Sequence, residues 1–266
     1  MQERSHAGGL RTWHFGFDGP ALLAATTTRH GGAGTGPYAG LNLAYHVGDD
    51  PEVVADNREL LCRALGLPGL TVPDQQHGRR IAVVDRSLAG AGHRSDREAR
   101  DRLATVDGLV TDQPGIALGI LMADCGPVAL YDPVRRVLGV AHAGRRGVVL
   151  DVVGATVRAM TDRFGSDPVD LMAGVGPCIA QASYEIGGPS LEETRAALGD
   201  DLLAPSRPGH ATFDLPGAIR RRLVGAGVPG SQIEMAGVDT YRSTDDLFSD
   251  RACRPCGRLM LVAALR

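Results

Sequence analysis

The chain contains no lysine, few aromatic residues and nearly balanced charge, and each feature excludes a class of partner. All 28 basic residues are arginine, and 31 acidic residues bring the formal net charge to −3. A near-neutral protein has little electrostatic attraction for nucleic acid or an anionic membrane. Aromatic residues make up only 4% of the chain, which argues against a surface that stacks nucleic-acid bases. We therefore expect neither nucleic acid nor membrane as a partner.

Cysteines and long apolar runs are also scarce. Five cysteines in 266 residues are too few for a scaffold built on disulfides. The longest apolar stretch, near residues 116–123, is too short to cross a bilayer. The N-terminus begins Met-Gln-Glu-Arg and lacks the apolar segment of a secretory signal. These absences predict a soluble, cytoplasmic protein.

The order of apolar segments predicts a mixed α/β fold. Capping and apolar patterns predict helices over residues 50–66, 148–165, 190–199 and 214–227. Short apolar runs predict strands at residues 81–84, 109–111, 117–122, 128–131, 137–142 and 171–175. Several strands follow one another without helices between them, which favours a mixed sheet in an α/β or α+β domain. We expect one domain over residues 21–266, preceded by an irregular segment, residues 1–20.

One strand-to-helix turn has the chemistry of an anion site. The apolar run from Val137 ends at His142, and a glycine turn then opens a predicted helix. The free N–H groups of such a helix start can hold an anion, and Arg145 and Arg146 add positive charge beside it. The turn is neither a Walker A loop nor a dinucleotide-binding turn. A structural histidine beside two solvated arginines is the plainer alternative.

Two further residues complete a metal-ligand set with His142. Cys125 ends an apolar strand, and His77 precedes another. A lone cysteine at a strand end is usually a small buried hydrophobe, but two histidines and one cysteine form a known catalytic zinc site with one open position. The separations, 48 residues from 77 to 125 and 17 from 125 to 142, exclude a local zinc finger. The tertiary fold would have to assemble this site.

Two other segments are less specific. Residues 26–38 are rich in glycine, which allows a close wrap around a ligand but also suits a flexible loop. Cys253 and Cys256 form a single Cys-x-x-Cys pair near the C-terminus. A zinc ribbon needs a second pair, and a redox pair normally opens a helix of a thioredoxin-like unit. We interpret this pair as structural or incidental.

Many short stretches together resemble one family, the laccase-domain-containing purine nucleoside phosphorylases. This family was formerly called multicopper polyphenol oxidases, and it is also called the peptidoglycan editing factor family. The matches run in order from about residue 25 to 190, and similarity is weaker towards the C-terminus. The matching stretches are Thr27-Thr-Arg-His-Gly-Gly, Gly36-Pro-Tyr, Leu41-Asn-Leu, His46-Val-Gly-Asp-Asp-Pro, Asn57-Arg, Gln76-His-Gly, Asp107-Gly-Leu-Val-Thr, Ala123-Asp-Cys, Ala141-His-Ala-Gly, Gly176-Pro-Cys-Ile and Tyr184-Glu-Ile-Gly.

The resemblance implies a single catalytic α/β domain with a central β-sandwich or mixed sheet flanked by helices. It also implies phosphorolysis of adenosine, inosine and methylthioadenosine, deamination of adenosine, and a metal bound by His77, Cys125 and His142. This sequence departs from the family pattern at Arg145, where tryptophan is usual, and at Asp239, where cysteine is usual. Gly40 replaces a serine, and Cys253 and Cys256 are additional. We expect these changes at or near the pocket rim.

We therefore predict a Zn²⁺-dependent purine nucleoside enzyme that uses inorganic phosphate. A zinc ion with an open position lowers the pKa of a bound water towards about 7, which suits deamination of adenine, and Asp124 is the candidate proton shuttle. Phosphorolysis needs an anion site, and Arg29 and Arg146 are the candidates for it. Asn42, in the matched Leu-Asn-Leu stretch, is the third candidate substrate-binding residue.

Three alternatives stay open. A copper polyphenol oxidase needs paired histidines, and the eight histidines here are scattered without a His-x-His motif, so copper is the poorer cofactor. Cys125 and His142 could instead form the nucleophile–base pair of a hydrolase or amidase, including one that edits peptidoglycan precursors. A non-enzymatic module with a structural metal ranks last, because structural zinc normally has four protein ligands.

Overall fold

The computed structural model describes residues 1–266 and contains six α-helices and fourteen β-strands, joined by turns and short 3₁₀ segments. The helices are α1 (Pro51–Leu65), α2 (Asp96–Arg102), α3 (Arg145–Val149), α4 (Val152–Phe164), α5 (Pro189–Leu198) and α6 (Leu215–Gly225). The strands are β1 (Gln2–Ser5), β2 (Arg11–His14), β3 (Leu22–Thr27), β4 (Ile81–Val83), β5 (Gly108–Thr111), β6 (Ala117–Met122), β7 (Gly126–Asp132), β8 (Val137–Ala143), β9 (Met172–Val175), β10 (Glu185–Gly187), β11 (Leu203–Pro205), β12 (His210–Phe213), β13 (Ile233–Met235) and β14 (Leu259–Leu265).

The strands form two large sheets and one small one. The six-stranded sheet has the order β13-β9-β7-β8-β5-β4, with parallel pairs at both edges and antiparallel pairs in the centre. The five-stranded sheet, β1-β2-β3-β14-β6, is antiparallel throughout. A three-stranded sheet, β10-β12-β11, lies beside them. The predicted mixed α/β single-domain fold is confirmed.

Alternation of side chains along β14 shows why the two large sheets stack. Because successive strand residues point to opposite faces, Leu259 and Leu261 join the core between the two sheets. Met260 and Val262 join a second core, on the side of α1. A third core lies on the other face of the six-stranded sheet, under α4, α5 and α6. The domain is therefore layered helix, sheet, sheet, helix.

Two predicted helices have the expected ends. Asp50 caps α1 by accepting a hydrogen bond from the amide of Glu52, and Gly66 ends the helix with a φ of 68°. Asp214 caps α6 by accepting from the amide of Gly217. Side-chain caps of this kind satisfy N–H groups that have no partner within the helix, which is why the sequence marks these starts well.

Two other helix predictions were wrong in detail. Residues 148–165 do not form one helix, because Asp151 takes a φ of 64° and caps α4 through the amide of Gly154. The pattern Ser190-x-x-Glu193, which predicted the start of a helix over residues 190–199, does not form a capping box. Helix α5 begins at Pro189 after Gly188, without a side-chain cap, and Thr194 donates to the carbonyl of Ser190 instead.

The expectation of an irregular N-terminal segment was also wrong. Residues 2–5 and 11–14 are strands β1 and β2, which add a hairpin to the edge of the five-stranded sheet. All four β1 residues are exposed, so the segment lacks the apolar alternation by which a strand is recognised. None of the helices combines the length and the apolar composition that crossing a membrane requires.

Candidate functional site

His77, Cys125 and His142 meet at one end of the six-stranded sheet. His77 lies in the loop before β4, Cys125 between β6 and β7, and His142 near the end of β8. Antiparallel pairing places Gly126 opposite Ala143, which brings Cys125 next to His142. The Cys125 Sγ lies 3.7 Å from the His77 Nε2, and the two imidazole rings are 4.7 Å apart between centroids. All three potential ligand atoms lie within 4.8 Å of one another.

The loop that carries His77 is anchored on both sides. The side-chain amide of Gln75 donates to the carbonyl of Leu121 and accepts from its amide, each at 2.8 Å, so the loop is fastened to β6. His77 itself has a φ of 56°, a left-handed conformation that costs a non-glycine residue about 1–2 kcal/mol. Such strain persists only where surrounding contacts impose it.

A buried carboxylate supplies those contacts. Asp107 is fully buried, and its Oδ1 accepts from the backbone N–H of His77 at 2.9 Å. The same oxygen lies 2.9 Å from the His142 Nδ1. Because Nδ1 faces this carboxylate, the His142 Nε2 is left to face the cluster. A ligand histidine held through its other ring nitrogen is the usual arrangement at metal sites.

The electrostatics of the cluster favour a thiolate beside an imidazolium. Burial alone would raise the pKa of Cys125, but the charge of His142 and hydrogen bonds from both histidines outweigh it and lower the pKa to about 6. Burial would likewise lower the pKa of His142, but Cys125 and Asp107 raise it to about 10. The thiolate is the form of cysteine that attacks electrophiles and binds metals.

The donor set suits a divalent metal with an open coordination position. The potential ligands here are two histidines and one cysteine, and no further histidine, cysteine or carboxylate belongs to the group. Structural zinc sites normally have four protein ligands, whereas catalytic ones leave a place for water or substrate. The cluster could therefore hold a metal ion of the catalytic type.

The cluster opens into a cavity of about 310 Å³, at the lower end of the range for small-molecule sites. Apolar side chains form part of its wall, among them Leu121, Ile179 and Leu215. Tyr184 also lines it, and burial followed by the charge of Cys125 raises the pKa of Tyr184 to about 12. The phenol is therefore protonated near neutral pH and can donate a hydrogen bond.

Three arginines make another part of the cavity wall basic. Arg251, Arg254 and Arg258 all line it, together with Asp250. The Arg251 guanidinium stacks over the Tyr184 ring at 5.2 Å. Both Arg254 and Arg258 pair with the carboxylate of Asp250. Three guanidiniums outnumber the two carboxylates that line the cavity, Asp124 and Asp250, and this excess of positive charge suits an anionic ligand.

Asp124 lines the same cavity, but its oxygens already accept hydrogen bonds. Oδ1 accepts from the hydroxyls of Thr240 and Ser249, each at 2.6 Å, and Oδ2 accepts from the Arg251 amide at 2.7 Å. These bonds hold the C-terminal loop against the cluster. Its role as proton shuttle stays a prediction and requires one of these bonds to open.

The structure does not bring the three predicted substrate-binding residues into the cavity wall. Arg29 donates to the carbonyls of Ala39 and Thr244 and stacks on Phe248. Asn42 is buried, and its side chain bonds Asp49 and the backbone of Arg258. Arg146 is exposed and points to the carbonyl of Gln76.

Two of the departures expected at the pocket rim, Arg145 and Asp239, also lie outside the cavity lining. Arg145 pairs with Glu193 and Thr194 of α5. Asp239 accepts from the Ser183 hydroxyl at 2.6 Å. Arg145 thus connects α3 to α5, and Asp239 connects the segment after β13 to the 3₁₀ turn that contains Ser183.

Sequence reasoning missed Asp107 and the three cavity arginines. Asp107 opens one of the matched stretches, but nothing in a linear pattern connects it with residues 30 positions before and 35 positions after it. The arginines at 251, 254 and 258 lie in the region of weakest resemblance. Their clustering within eight residues was the available signal.

Thiol alkylation should report metal binding at the cluster. In the metal-free protein we expect iodoacetamide to modify Cys125 and the exposed Cys253, with the Cys125 rate falling as the pH drops through about 6. Burial raises the pKa values of Cys62 and Cys256 to about 11 and raises that of Cys178 as well, so these three should stay unmodified. Zn²⁺ should protect Cys125 alone, as peptide mass mapping would show. Equal Cys125 labelling with and without zinc would contradict a metal at this site.

Comparison with known proteins agrees with the resemblance. The model of a family described as multi-copper polyphenol oxidoreductase laccase matches residues 23–266. Purine nucleoside phosphorylase SCO2081 of Streptomyces coelicolor is 39% identical over 248 residues, covering 92% of this chain and 93% of the relative. Purine nucleoside phosphorylase YlmD of Geobacillus stearothermophilus is 34% identical over 250 residues, covering 92% and 90%.

Solved structures give the same result. The crystal structure of YlmD from Geobacillus stearothermophilus has a TM-score of 0.90 at 31% identity and covers 99% of this chain and 98% of that one. The hypothetical protein YfiH of Bacillus licheniformis has a TM-score of 0.88 at 31% identity, covering 94% and 98%. The chain thus belongs to the family described as multi-copper polyphenol oxidoreductase laccase, which the matched stretches around His77, Cys125 and His142 had indicated.

Proposed function

We propose that the protein is a Zn²⁺-dependent purine nucleoside phosphorylase that also deaminates adenosine. The observation that carries the proposal is that the His-Cys-His cluster and three arginines line one cavity. Relatives that align over nine-tenths of the chain are named purine nucleoside phosphorylases. The substrates would be adenosine, inosine or methylthioadenosine, and the products the free base and the ribose 1-phosphate or its methylthio analogue.

The arginine wall would bind the phosphate. Guanidinium groups form strong, often bidentate, charge-assisted hydrogen bonds to phosphate oxygens. Arg251 is already oriented by stacking on Tyr184 and by donating to the carbonyl of Glu185. Arg258 is oriented by Asp250. A phosphate held there would be positioned for attack on C1′ of a ribose in the same cavity, as the C1′–N bond to the base breaks.

The apolar wall and the cluster would receive the nucleoside. Leu121, Ile179 and Leu215 offer surface for the purine, and the protonated phenol of Tyr184 can donate to a ring nitrogen or ribose oxygen. His77, Cys125 and His142 would hold Zn²⁺, which when bound supplies Lewis-acid polarisation and an activated water for deamination. The unpaired state of all five cysteines suits the reducing cytoplasm, where we place the protein.

Product chromatography with adenosine, with and without inorganic phosphate, tests the proposal. The zinc-loaded protein should release adenine only when phosphate is present, and it should form inosine without phosphate. Intact adenosine, inosine and methylthioadenosine under both conditions would reject the proposal. A protein that then hydrolyses amides in the presence of a chelator would support the Cys125–His142 hydrolase instead. Strong visible absorbance after copper loading would support an oxidase.

The phosphate site predicts a selective defect in Arg251→Gln. Loss of a charged hydrogen bond costs about 1.5–3 kcal/mol, so we expect the KM for phosphate to rise about 10- to 100-fold. Phosphate-independent inosine formation should change much less, because it needs no anion at this wall. Steady-state kinetics with varied phosphate would measure both.

Arg97→Gln is the matched control, because Arg97 lies on α2 with 86% of its side chain exposed and pairs only with Asp101. An unchanged KM for phosphate in Arg251→Gln would place the anion elsewhere.

A further inference from the structure

We propose that Asp107 is a positioning residue that holds both histidines of the cluster with one carboxylate. The inference rests on the proposed metal binding by His77, Cys125 and His142. It extends that proposal by naming the group that sets the direction of two of the three ligands.

The carboxylate has four hydrogen-bond partners in the structure. Oδ1 accepts from the His77 amide and lies against the His142 Nδ1, both at 2.9 Å. Oδ2 accepts from the amides of Gln76 and Gly78 at 3.2 and 2.7 Å. Three successive amides thus converge on one side chain, a backbone arrangement that suits an anion. All four hydrogen bonds of the carboxylate therefore go either to the loop that carries His77 or to the ring of His142.

The charge of this buried group is balanced within the site. Asp107 is fully buried, and its one ion-pair partner is His142. An isolated buried carboxylate is costly, and pairing with hydrogen bonds offsets that cost. Both carboxylate oxygens face N–H groups, three from the backbone and one from the imidazole, so the side chain acts here only as a hydrogen-bond acceptor.

The two histidines are controlled in different ways. For His142, the carboxylate accepts a hydrogen bond from Nδ1–H and so directs Nε2 towards Cys125. For His77, it holds the backbone of residues 76–78, which keeps the left-handed φ of 56° and so sets the direction of the side chain. The main chain adds to this coupling, because the His142 amide donates to the Asp107 carbonyl at 2.8 Å.

A purely structural anchor would not need this arrangement. Holding the loop requires only the three amides of residues 76–78, but Oδ1 also contacts the imidazole of His142. A change at Asp107 should therefore affect both histidines at once. Outer partners of metal ligands typically change metal affinity 10- to 100-fold when they are lost.

Asp107→Asn tests the proposal with little change in shape. An asparagine must direct its NH₂ group either at the imidazole N–H and the His77 amide or at the amides of Gln76 and Gly78. In both arrangements the NH₂ group faces two N–H donors. We expect the Zn²⁺ dissociation constant, measured by chelator competition on folded protein, to rise about 10- to 100-fold. Asp112→Asn is the matched control, because Asp112 is exposed and follows the same strand, β5, that Asp107 precedes. It should bind zinc as the parent protein does.

Imidazole NMR supplies a measurement that needs neither activity nor metal. The parent protein should show a His142 Nδ1–H resonance that is protected from exchange, and this signal should be lost or shifted in Asp107→Asn. Absence of that protected signal from the parent protein, or unchanged zinc affinity in folded Asp107→Asn, would overturn the proposal. A parent protein that shows the signal but binds no zinc would leave Asp107 as the positioning group and reject the metal in the proposed function.

Discussion

His142→Ala is expected to abolish metal binding and nucleoside cleavage together. The substitution removes one of three ligands and leaves Cys125 and His77 alone. It also removes the ring that balances the buried Asp107 carboxylate, and an unsatisfied buried group costs about 1–3 kcal/mol, or more when charged. The loss of activity should exceed the 10- to 100-fold that follows from loss of an outer partner of a ligand. Metal content by mass spectrometry and product formation from adenosine would be measured on the same preparation.

A histidine outside the cavity lining serves as the control for this variant. His210 lies on β12, and its ring contacts the carbonyl of Pro208, so His210→Ala should keep both metal and activity. Full activity in metal-free His142→Ala would contradict the proposed function. Retained metal with lost activity would mean that His142 acts on the substrate and is not a ligand.

Gly144→Ala is expected to disable the cluster by steric pressure alone. Gly144 has a φ of −76° and a ψ of 174°, which alanine adopts without strain. A Cβ at this position would lie 2.6 Å from the Cys125 Sγ and 3.1 Å from the His77 Cδ2. Because packed interiors resist added volume, such a clash costs about 1–3 kcal/mol. If the thiol moves to relieve it, zinc affinity should fall about 10- to 100-fold.

The comparison that isolates this effect is Gly225→Ala. Gly225 ends α6, is exposed, and offers open space to a Cβ, so this variant should bind zinc normally. Chelator competition and thermal unfolding of both variants would separate loss of metal from loss of fold. Normal zinc affinity in a folded Gly144→Ala would show that the cluster has more room than the distances imply.

Local features of the sequence determined several elements correctly. The ends of α1 and α6 follow from Asp50, Gly66 and Asp214, because caps act on amides within one turn. Strands β6 and β8 follow from short apolar runs, since all of their residues are buried. The three members of the cluster were grouped by their ligand chemistry and by the family stretches in which they lie.

Three other features of the fold were not predicted from the sequence. Strand β14 lies between β3 and β6, yet its seven residues, all buried, follow a segment of weak resemblance. Strand β1 is exposed and is defined by pairing with β2. The break between α3 and α4 depends on a left-handed Asp151, a conformation that the helical pattern on either side conceals.

The sequence by itself determined which side chains can form the metal-ligand set, because their chemistry is a property of the residues. Only the tertiary structure decided what surrounds them. It brought Asp107 between the two histidines, turned Arg251 and Arg258 into the cavity, and directed Arg29 and Asn42 elsewhere. The physical reason is that hydrogen bonds and charge act over a few ångströms in space. Strand pairing decides which residues come within that range, and separation along the chain does not.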